Sequence, residues 1–138
     1  MKHTNHYVAM FWIMVVSGLL STMNVWVDKV EDIRYSINDI YMILLMVGWM
    51  YVGMGVYDQE MPILCGGIGI VCVSLWCIRT QFLVTPEQYM VGMIPHHSMA
   101  VHMSRQLLQK TPIPQPFVKN ILETQEKEIM YMKEMTKV

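Results

Sequence analysis

The sequence predicts an all-α membrane protein in which three transmembrane helices are followed by an amphipathic α-helical hairpin. Three observations carry this prediction. Hydrophobic residues make up 54% of the 138 residues and charged residues only 15%, the charges leave three long apolar blocks, and prolines separate two amphipathic segments after the last block. Such a composition lies outside that of disordered proteins. The net charge of −1 provides no general attraction to nucleic acid, so we expect no nucleic-acid partner.

The three apolar blocks are the predicted membrane spans, at about residues 7–27, 38–57 and 62–84. Each is long enough, because a helix rising about 1.5 Å per residue crosses a hydrocarbon core of about 30 Å in about 20 residues. A signal peptide would account for the first block only, and a buried core helix is the alternative for any single block. Three spans place the chain ends on opposite sides of the membrane. Lys29, Arg34 and Arg79 favour a cytoplasmic C-terminal side.

Small and aromatic residues in the apolar region support the same prediction. The second and third blocks contain glycines that would let helix backbones approach closely in lipid: Gly48, Gly53, Gly55, Gly66, Gly67 and Gly69. Aromatic side chains lie mostly near the block ends, where amphipathic rings favour the headgroup layer. We therefore assign residues 1–84 to a transmembrane region and residues 85–138 to a separate helical hairpin domain.

The hairpin domain begins with a helix-start signal. Thr85-Pro86-Glu87-Gln88 offers an N-cap, a proline in the first turn and a capping-box glutamine. The signal predicts a helix from about Pro86 to Lys110, which Pro95 should kink. The proline-rich segment 111–116 cannot continue that helix, and a second helix is predicted from about Pro116 to Thr136.

Histidines and methionines are concentrated in the first helix of this hairpin. Helical spacing places them on neighbouring faces: Met90, Met93 and His97 on one, His96, Met99 and Met103 on the next, and His102 further round. Antiparallel pairing of the two helices should bring three residues of the second helix opposite Met93 and His97: Gln125, Glu128 and Met132.

This mixture of side chains indicates a metal site. Imidazole with thioether is the ligand set of soft metals, Cu(I) above all, whereas Cu(II) and zinc are better served by imidazole with carboxylate. The alternative is that the methionines fill an apolar core and the histidines are solvated. The residue pattern alone is compatible with both interpretations, a metal site and an apolar core.

At these residues the chain resembles the family called domain of unknown function 305. The shared pattern comprises a methionine, a proline and two histidines, then an alanine and a methionine, and later Gln, Glu-Ile and Met: Met93, Pro95, His96, His97, Ala100, Met103, Gln125, Glu128, Ile129 and Met132. The resemblance covers residues 85–138. It implies a ferritin-like helical fold and copper binding or copper tolerance through Met and His. A start like His6-Tyr7 with Met14 and Ser17 resembles membrane-attached members with three N-terminal spans.

Two departures from the family pattern affect these expectations. Ser98-Met99 replaces the small pair more usual after the histidines, and the motif occurs once, whereas a four-helix bundle would use two copies. The chain therefore resembles half of a ferritin-like bundle. Because one hairpin cannot enclose its own apolar face, we expect a homo-oligomer or a larger membrane complex, or the membrane helices, to complete it.

The predicted metal ligands lie on both helices of the hairpin: His96, His97, Met93, Met103, His102, Glu128 and Met132. Copper is the expected ion, and zinc is the second choice, because no Cys/His zinc spacing occurs. A free N-terminal Met1-Lys2-His3 could also chelate Cu(II). The sequence contains no serine triad, phosphate loop or dinucleotide fingerprint, so we expect a non-enzyme.

Two functions follow as hypotheses. The first is a membrane-anchored metal-binding protein that sequesters or passes on copper through the His/Met cluster. The second is a structural or accessory subunit of a membrane assembly with no bound metal. In either case the expected location is an integral, multi-pass position in a lipid bilayer. A bacterial inner membrane is the first expectation, with an organelle or viral membrane left open.

Overall fold

A computed structural model describes residues 2–110 and 115–136 of the chain, with the side chains of residues 2–4 and 115 left out of the description. Within these ranges the structure is all-helical and contains no strand. The five helices are α1 (Lys2–Leu20), α2 (Ile37–Tyr57), α3 (Met61–Thr80), α4 (Pro86–Lys110) and α5 (Gln115–Thr136). The predicted N-terminal Cu(II) chelate, Met1-Lys2-His3, lies outside the described residues and side chains.

Three segments are long and apolar enough to cross a membrane, namely Asn5–Trp26, Ile37–Tyr57 and Met61–Thr80. Their positions agree with the three predicted blocks, but two helix ends differ. Helix α1 ends at Leu20, and residues Met23–Trp26 form a separate 3-10 turn. Helix α3 ends at Thr80, because Gln81 adopts a left-handed conformation with φ of 50°. The predicted third span therefore extended too far, to residue 84.

The chain divides into two compact units. Unit 1 comprises residues 1–22 and 37–83, and its helices α2 and α3 approach closely at glycines. A Cβ atom on Gly55 would lie 2.5 Å from the Leu64 nitrogen, and one on Gly67 would lie 2.6 Å from the Val52 nitrogen. Gly48 also faces α3 closely, whereas a Cβ would meet nothing within 4 Å at the other three predicted positions, Gly53, Gly66 and Gly69. Half of the predicted glycines therefore make the close approach.

Unit 2 comprises residues 23–36 and 84–138, and its framework is the α4/α5 hairpin. The N-cap prediction is confirmed, since the Gln88 N–H donates to Thr85 Oγ1 at 3.2 Å. Helix α4 continues through Pro95 to Lys110. Side chains between the two helices form an apolar core: Ile94, Val101, Ile129 and Met132, with Met90, Met93 and Leu122 packed against them.

Residues 23–36 form part of unit 2, although the sequence prediction assigned all of residues 1–84 to one region. The Asn24 side chain closes this segment, because its amide nitrogen donates to the Arg34 carbonyl and its oxygen accepts from the Arg34 N–H. A Cβ on Gly92 would lie 2.8 Å from Ser36 Oγ, so the absence of a side chain there lets the segment approach α4. The segment thus packs onto the hairpin as a third layer, called the docked segment below.

Candidate functional site

His97 and Glu128 form the closest contact between predicted ligands. The His97 Nε2 atom on α4 lies 2.9 Å from Glu128 Oε2 on α5, and the His97 side chain is 12% exposed. Its other ring nitrogen, Nδ1, lies 2.8 Å from the Met93 carbonyl oxygen one turn earlier. The hairpin register predicted from sequence therefore does bring His97 and Glu128 together.

The hydrogen bonding of His97 directs one imidazole nitrogen toward a carboxylate on the facing helix. A carbonyl oxygen can only accept, so His97 Nδ1 carries a proton and donates it to Met93. In the neutral ring this leaves a lone pair on Nε2, which faces a carboxylate oxygen that also only accepts. These two atoms, 2.9 Å apart, are both electron-pair donors of the kind that metal ions bind.

His96 has a different partner. Its Nδ1 atom lies 3.2 Å from the Sδ atom of Met23, which belongs to the docked segment. The two adjacent histidines diverge, with ring centroids 6.0 Å apart and planes inclined at 67°. His96 and His97 therefore contact different groups, a thioether sulfur for His96 and two oxygen acceptors for His97.

The remaining histidine of the cluster lies against acidic and apolar neighbours. His102 Nδ1 is 4.0 Å from Asp28 Oδ1 in the docked segment. Met103 is 53% exposed and lines a cleft together with Trp26 and His102. Neither side chain reaches the His97–Glu128 pair by any described contact.

Two of the predicted thioether ligands lie in the apolar core. Met132 is 7% exposed and belongs to the core cluster, and Met93 packs against that cluster. The side chains of these two residues therefore fill the apolar core, as the alternative to metal binding predicted. Among the residues described, no three His, Cys, Asp or Glu side chains come together as a group able to hold a metal ion. Among the seven predicted ligands, the described side-chain contacts join His97 with Glu128.

A polar network that the sequence analysis missed joins the docked segment to the hairpin. The hydroxyl of Ser98, which is fully buried, donates to Asp32 Oδ2 at 2.6 Å and accepts from the Asp28 N–H at 2.9 Å. Arg105 pairs with Asp28 and with Glu126 on α5. The departure from the family pattern at Ser98 was the one sequence signal that could have located this network.

Lys133 completes the network from α5. Its ammonium group contacts Asp32 and lies 3.2 Å from Glu31 Oε1. Burial disfavours the charged form, but hydrogen bonds to Asp32 and Glu31 and the charges of these carboxylates outweigh it, so the pKa of Lys133 is raised. The network surrounds a cleft of about 380 Å³. Arg105 and Lys133 both pair with carboxylates of the docked segment, so the network attaches this segment to the hairpin.

Comparison with known proteins identifies the family. The family described as Domain of unknown function (DUF305) matches residues 84–136, which cover α4 and α5. The chain belongs to this family. The resemblance stated from the His/Met motif is thereby confirmed.

A related protein extends the similarity into the apolar helices. An uncharacterized protein of Acanthamoeba polyphaga mimivirus is 41% identical over 127 residues, covering 85% of this chain and 82% of the relative. An aligned length of this size must include much of unit 1 as well as the hairpin. No solved structure matches the chain.

Proposed function

We propose that the protein is a membrane-anchored metal-binding protein that sequesters or passes on copper through its hairpin. The His97–Glu128 pair carries this proposal. One nitrogen of His97 donates to a main-chain carbonyl, and the other points at a carboxylate on the facing helix. Metal-binding histidines commonly have this arrangement, because the hydrogen bond to the carbonyl determines the tautomer and directs the opposite nitrogen toward the ion.

The donor atoms at this pair favour a divalent ion. An imidazole nitrogen with a carboxylate oxygen suits Cu(II) and Zn(II), and Cu(II) stands above Zn(II) in the usual order of affinities. His97 and Glu128 would hold the ion through Nε2 and a carboxylate oxygen. Met93 and Met132 pack in or against the apolar core between the same two helices. This differs from the soft thioether site that the sequence suggested for the same residues.

The membrane anchor is proposed from the three apolar helices. They are of spanning length, and their glycine contacts are typical of helix packing in lipid. Three crossings would bring residues 23–36 and the hairpin out on the same side of the bilayer. The hydrogen bonds between Ser98 and the docked segment need that topology. The mimivirus relative favours a viral membrane among the locations left open.

The proposal is tested by titrating the purified full-length chain with Cu(II) in detergent micelles. The protein should carry no affinity tag that contains histidine. We expect wild-type protein to bind one equivalent and Glu128→Gln to lose at least about tenfold in affinity. The glutamine amide can donate to neutral Nε2, so this variant keeps the contact between the helices. Glu123→Gln, at an exposed glutamate on the same helix, is the matched control. Equal affinity of the two variants would contradict the proposed site.

A second candidate, an accessory subunit of a membrane assembly, is favoured by exposed apolar residues on α5. Phe117 is 70% exposed, Tyr131 is 61% exposed and Met135 is 54% exposed, and their spacing places them on one helix face. Exposed apolar surface of this kind is typical of contact sites for other chains, including a second copy in a homo-oligomer. This function predicts crosslinks from Tyr131 to another chain in native membranes and no stoichiometric metal in the purified protein.

A further inference from the structure

We propose a second metal site, formed by Met23 and His96 and suited to a soft monovalent cation such as Cu(I). Met23 Sδ and His96 Nδ1 lie 3.2 Å apart. Met23 lies well outside residues 84–136, so this donor is not part of the segment that matches the family. The site shares no donor atom with the His97–Glu128 pair. It extends the proposed function to a second oxidation state of copper.

When the His96 ring carries its proton on Nε2, both facing atoms, Nδ1 and the Met23 sulfur, can donate an electron pair to a metal ion. A thioether sulfur accepts only weak hydrogen bonds, and a neutral imidazole has one nitrogen with a free lone pair. Nitrogen and thioether sulfur together are the ligand set that Cu(I) prefers, whereas Cu(II) and zinc favour sites with carboxylate. His96 and Met23 have no described carboxylate contact, which separates this pair chemically from His97 and Glu128.

The docked segment holds Met23 in place. Asn24, the next residue, is 8% exposed and makes two hydrogen bonds to the main chain of Arg34. Four residues further along, the Asp28 N–H donates to the buried Ser98 hydroxyl. The Met23 side chain itself remains 44% exposed. The backbone that carries the thioether is thus attached at two points while the sulfur stays accessible to an incoming ion.

Further thioethers follow His96 along α4. Met99 is half-buried one turn later, and Met103 is 53% exposed two turns later, on the same helix face. Trp26 of the docked segment lines a cleft with Met103, so the turn formed by residues 23–26 follows this face of the helix. Helical spacing makes Met99 the nearest candidate for a third ligand beside Met23 and His96. Met103 would be a further thioether on the same face.

The test is a Cu(I) competition experiment on the full-length chain in detergent micelles, under anaerobic conditions, with a chromophoric Cu(I) chelator as the competitor. We expect Met23→Leu, which conserves side-chain volume, to lose at least about tenfold in Cu(I) affinity. Met42→Leu, at a methionine on α2 that is 52% exposed, is the matched control and should bind Cu(I) as wild type does. His96→Gln should lose Cu(I) binding as Met23→Leu does.

Cu(II) titration of the same variants separates this site from the one under the proposed function. Met23→Leu should retain Cu(II) affinity to within about twofold, and Glu128→Gln should retain Cu(I) affinity to the same extent. Equal Cu(I) binding by Met23→Leu and Met42→Leu would overturn the second site whatever the Cu(II) result. A parallel loss of Cu(I), Cu(II) and thermal stability in Met23→Leu would also overturn it, because Met23 would then act only through packing.

Discussion

Unit 1 and unit 2 differ in the kind of contact that packs the elements within each of them. In unit 1, α2 and α3 bring backbone atoms together at Gly48, Gly55 and Gly67. In unit 2, the docked segment joins the hairpin through a buried serine and paired charges. Lipid tails are as apolar as leucine, so helices in a membrane gain by close packing rather than by removal from water. Where water is the competing solvent, buried charges persist only when they are paired. The sequence of each unit follows the solvent expected around it.

The largest effect should come from adding one methyl group between α2 and α3. Gly55→Ala would place its Cβ 2.5 Å from a backbone nitrogen of α3, which cannot move aside as a side chain could. We expect destabilisation of about 3 kcal/mol, seen as a lower thermal unfolding midpoint in micelles.

Gly53→Ala is the matched control on the same helix, because its Cβ would meet nothing within 4 Å. Alanine is the better helix former, so this variant should be neutral or slightly more stable. Similar destabilisation by both substitutions would show that close backbone packing is not what distinguishes unit 1.

The next effect should come from unpairing a buried charge in unit 2. Lys133→Met leaves Asp32, whose side chain is 4% exposed, without its cation. We expect a loss of about 2 kcal/mol, since a buried carboxylate without its partner keeps its desolvation cost. Lys127→Met, at an exposed lysine of α5, should change unfolding little. If Lys127→Met destabilised the chain equally, the paired charges would not be what stabilises unit 2.

A smaller, more local effect is expected from Ser98→Ala. The change removes the hydroxyl that bonds both the Asp28 N–H and the Asp32 carboxylate, at a cost of about 1–2 kcal/mol. Amide hydrogen exchange should become faster in residues 23–36, while α2 and α3 keep their protection. Thr124→Ala, at an exposed hydroxyl of α5, provides the comparison, and unchanged exchange in residues 23–36 would count against the docking role of Ser98.

The smallest expected effect is a change in the stabilisation by Lys133 at alkaline pH. The pKa of Lys133 is raised in the folded chain above its ordinary value of 10.5. Its ion pairs therefore contribute fully below pH 10.5 and are lost as pH rises through the folded value. The difference in unfolding midpoint between wild type and Lys133→Met should be constant from pH 7 to 10 and should narrow at higher pH. A difference that stayed constant at high pH would exclude the charge of Lys133 as its cause.

Local signals in the sequence predicted much of the fold. Thr85 and Pro86 mark the start of α4, and the proline-rich segment marks the end near Lys110, as the structure confirms. The apolar blocks likewise predicted α2 and α3 as long apolar helices. Hairpin register was sufficient to place His97 opposite Glu128. Each of these features depends on residues that are close in sequence or on one short connection.

The docked segment could not be predicted in this way. Ser98 and Asp32 are separated by 66 residues, and Lys133 and Glu31 by 102 residues. No periodicity or spacing records such pairs, so the sequence prediction grouped residues 23–36 with the apolar spans, whereas they form part of unit 2. The contact between Met23 and His96 was missed for the same reason.

The sequence by itself determined that the chain is helical, where its long apolar helices lie and that histidines and methionines share one amphipathic helix. These properties follow from composition and from periodicity within single segments. Only the tertiary structure decided which donors meet: His97 with Glu128, His96 with Met23, and Met93 and Met132 within the core. The physical reason is that helical spacing specifies the face on which a residue lies, whereas the packed neighbour specifies what that face contacts.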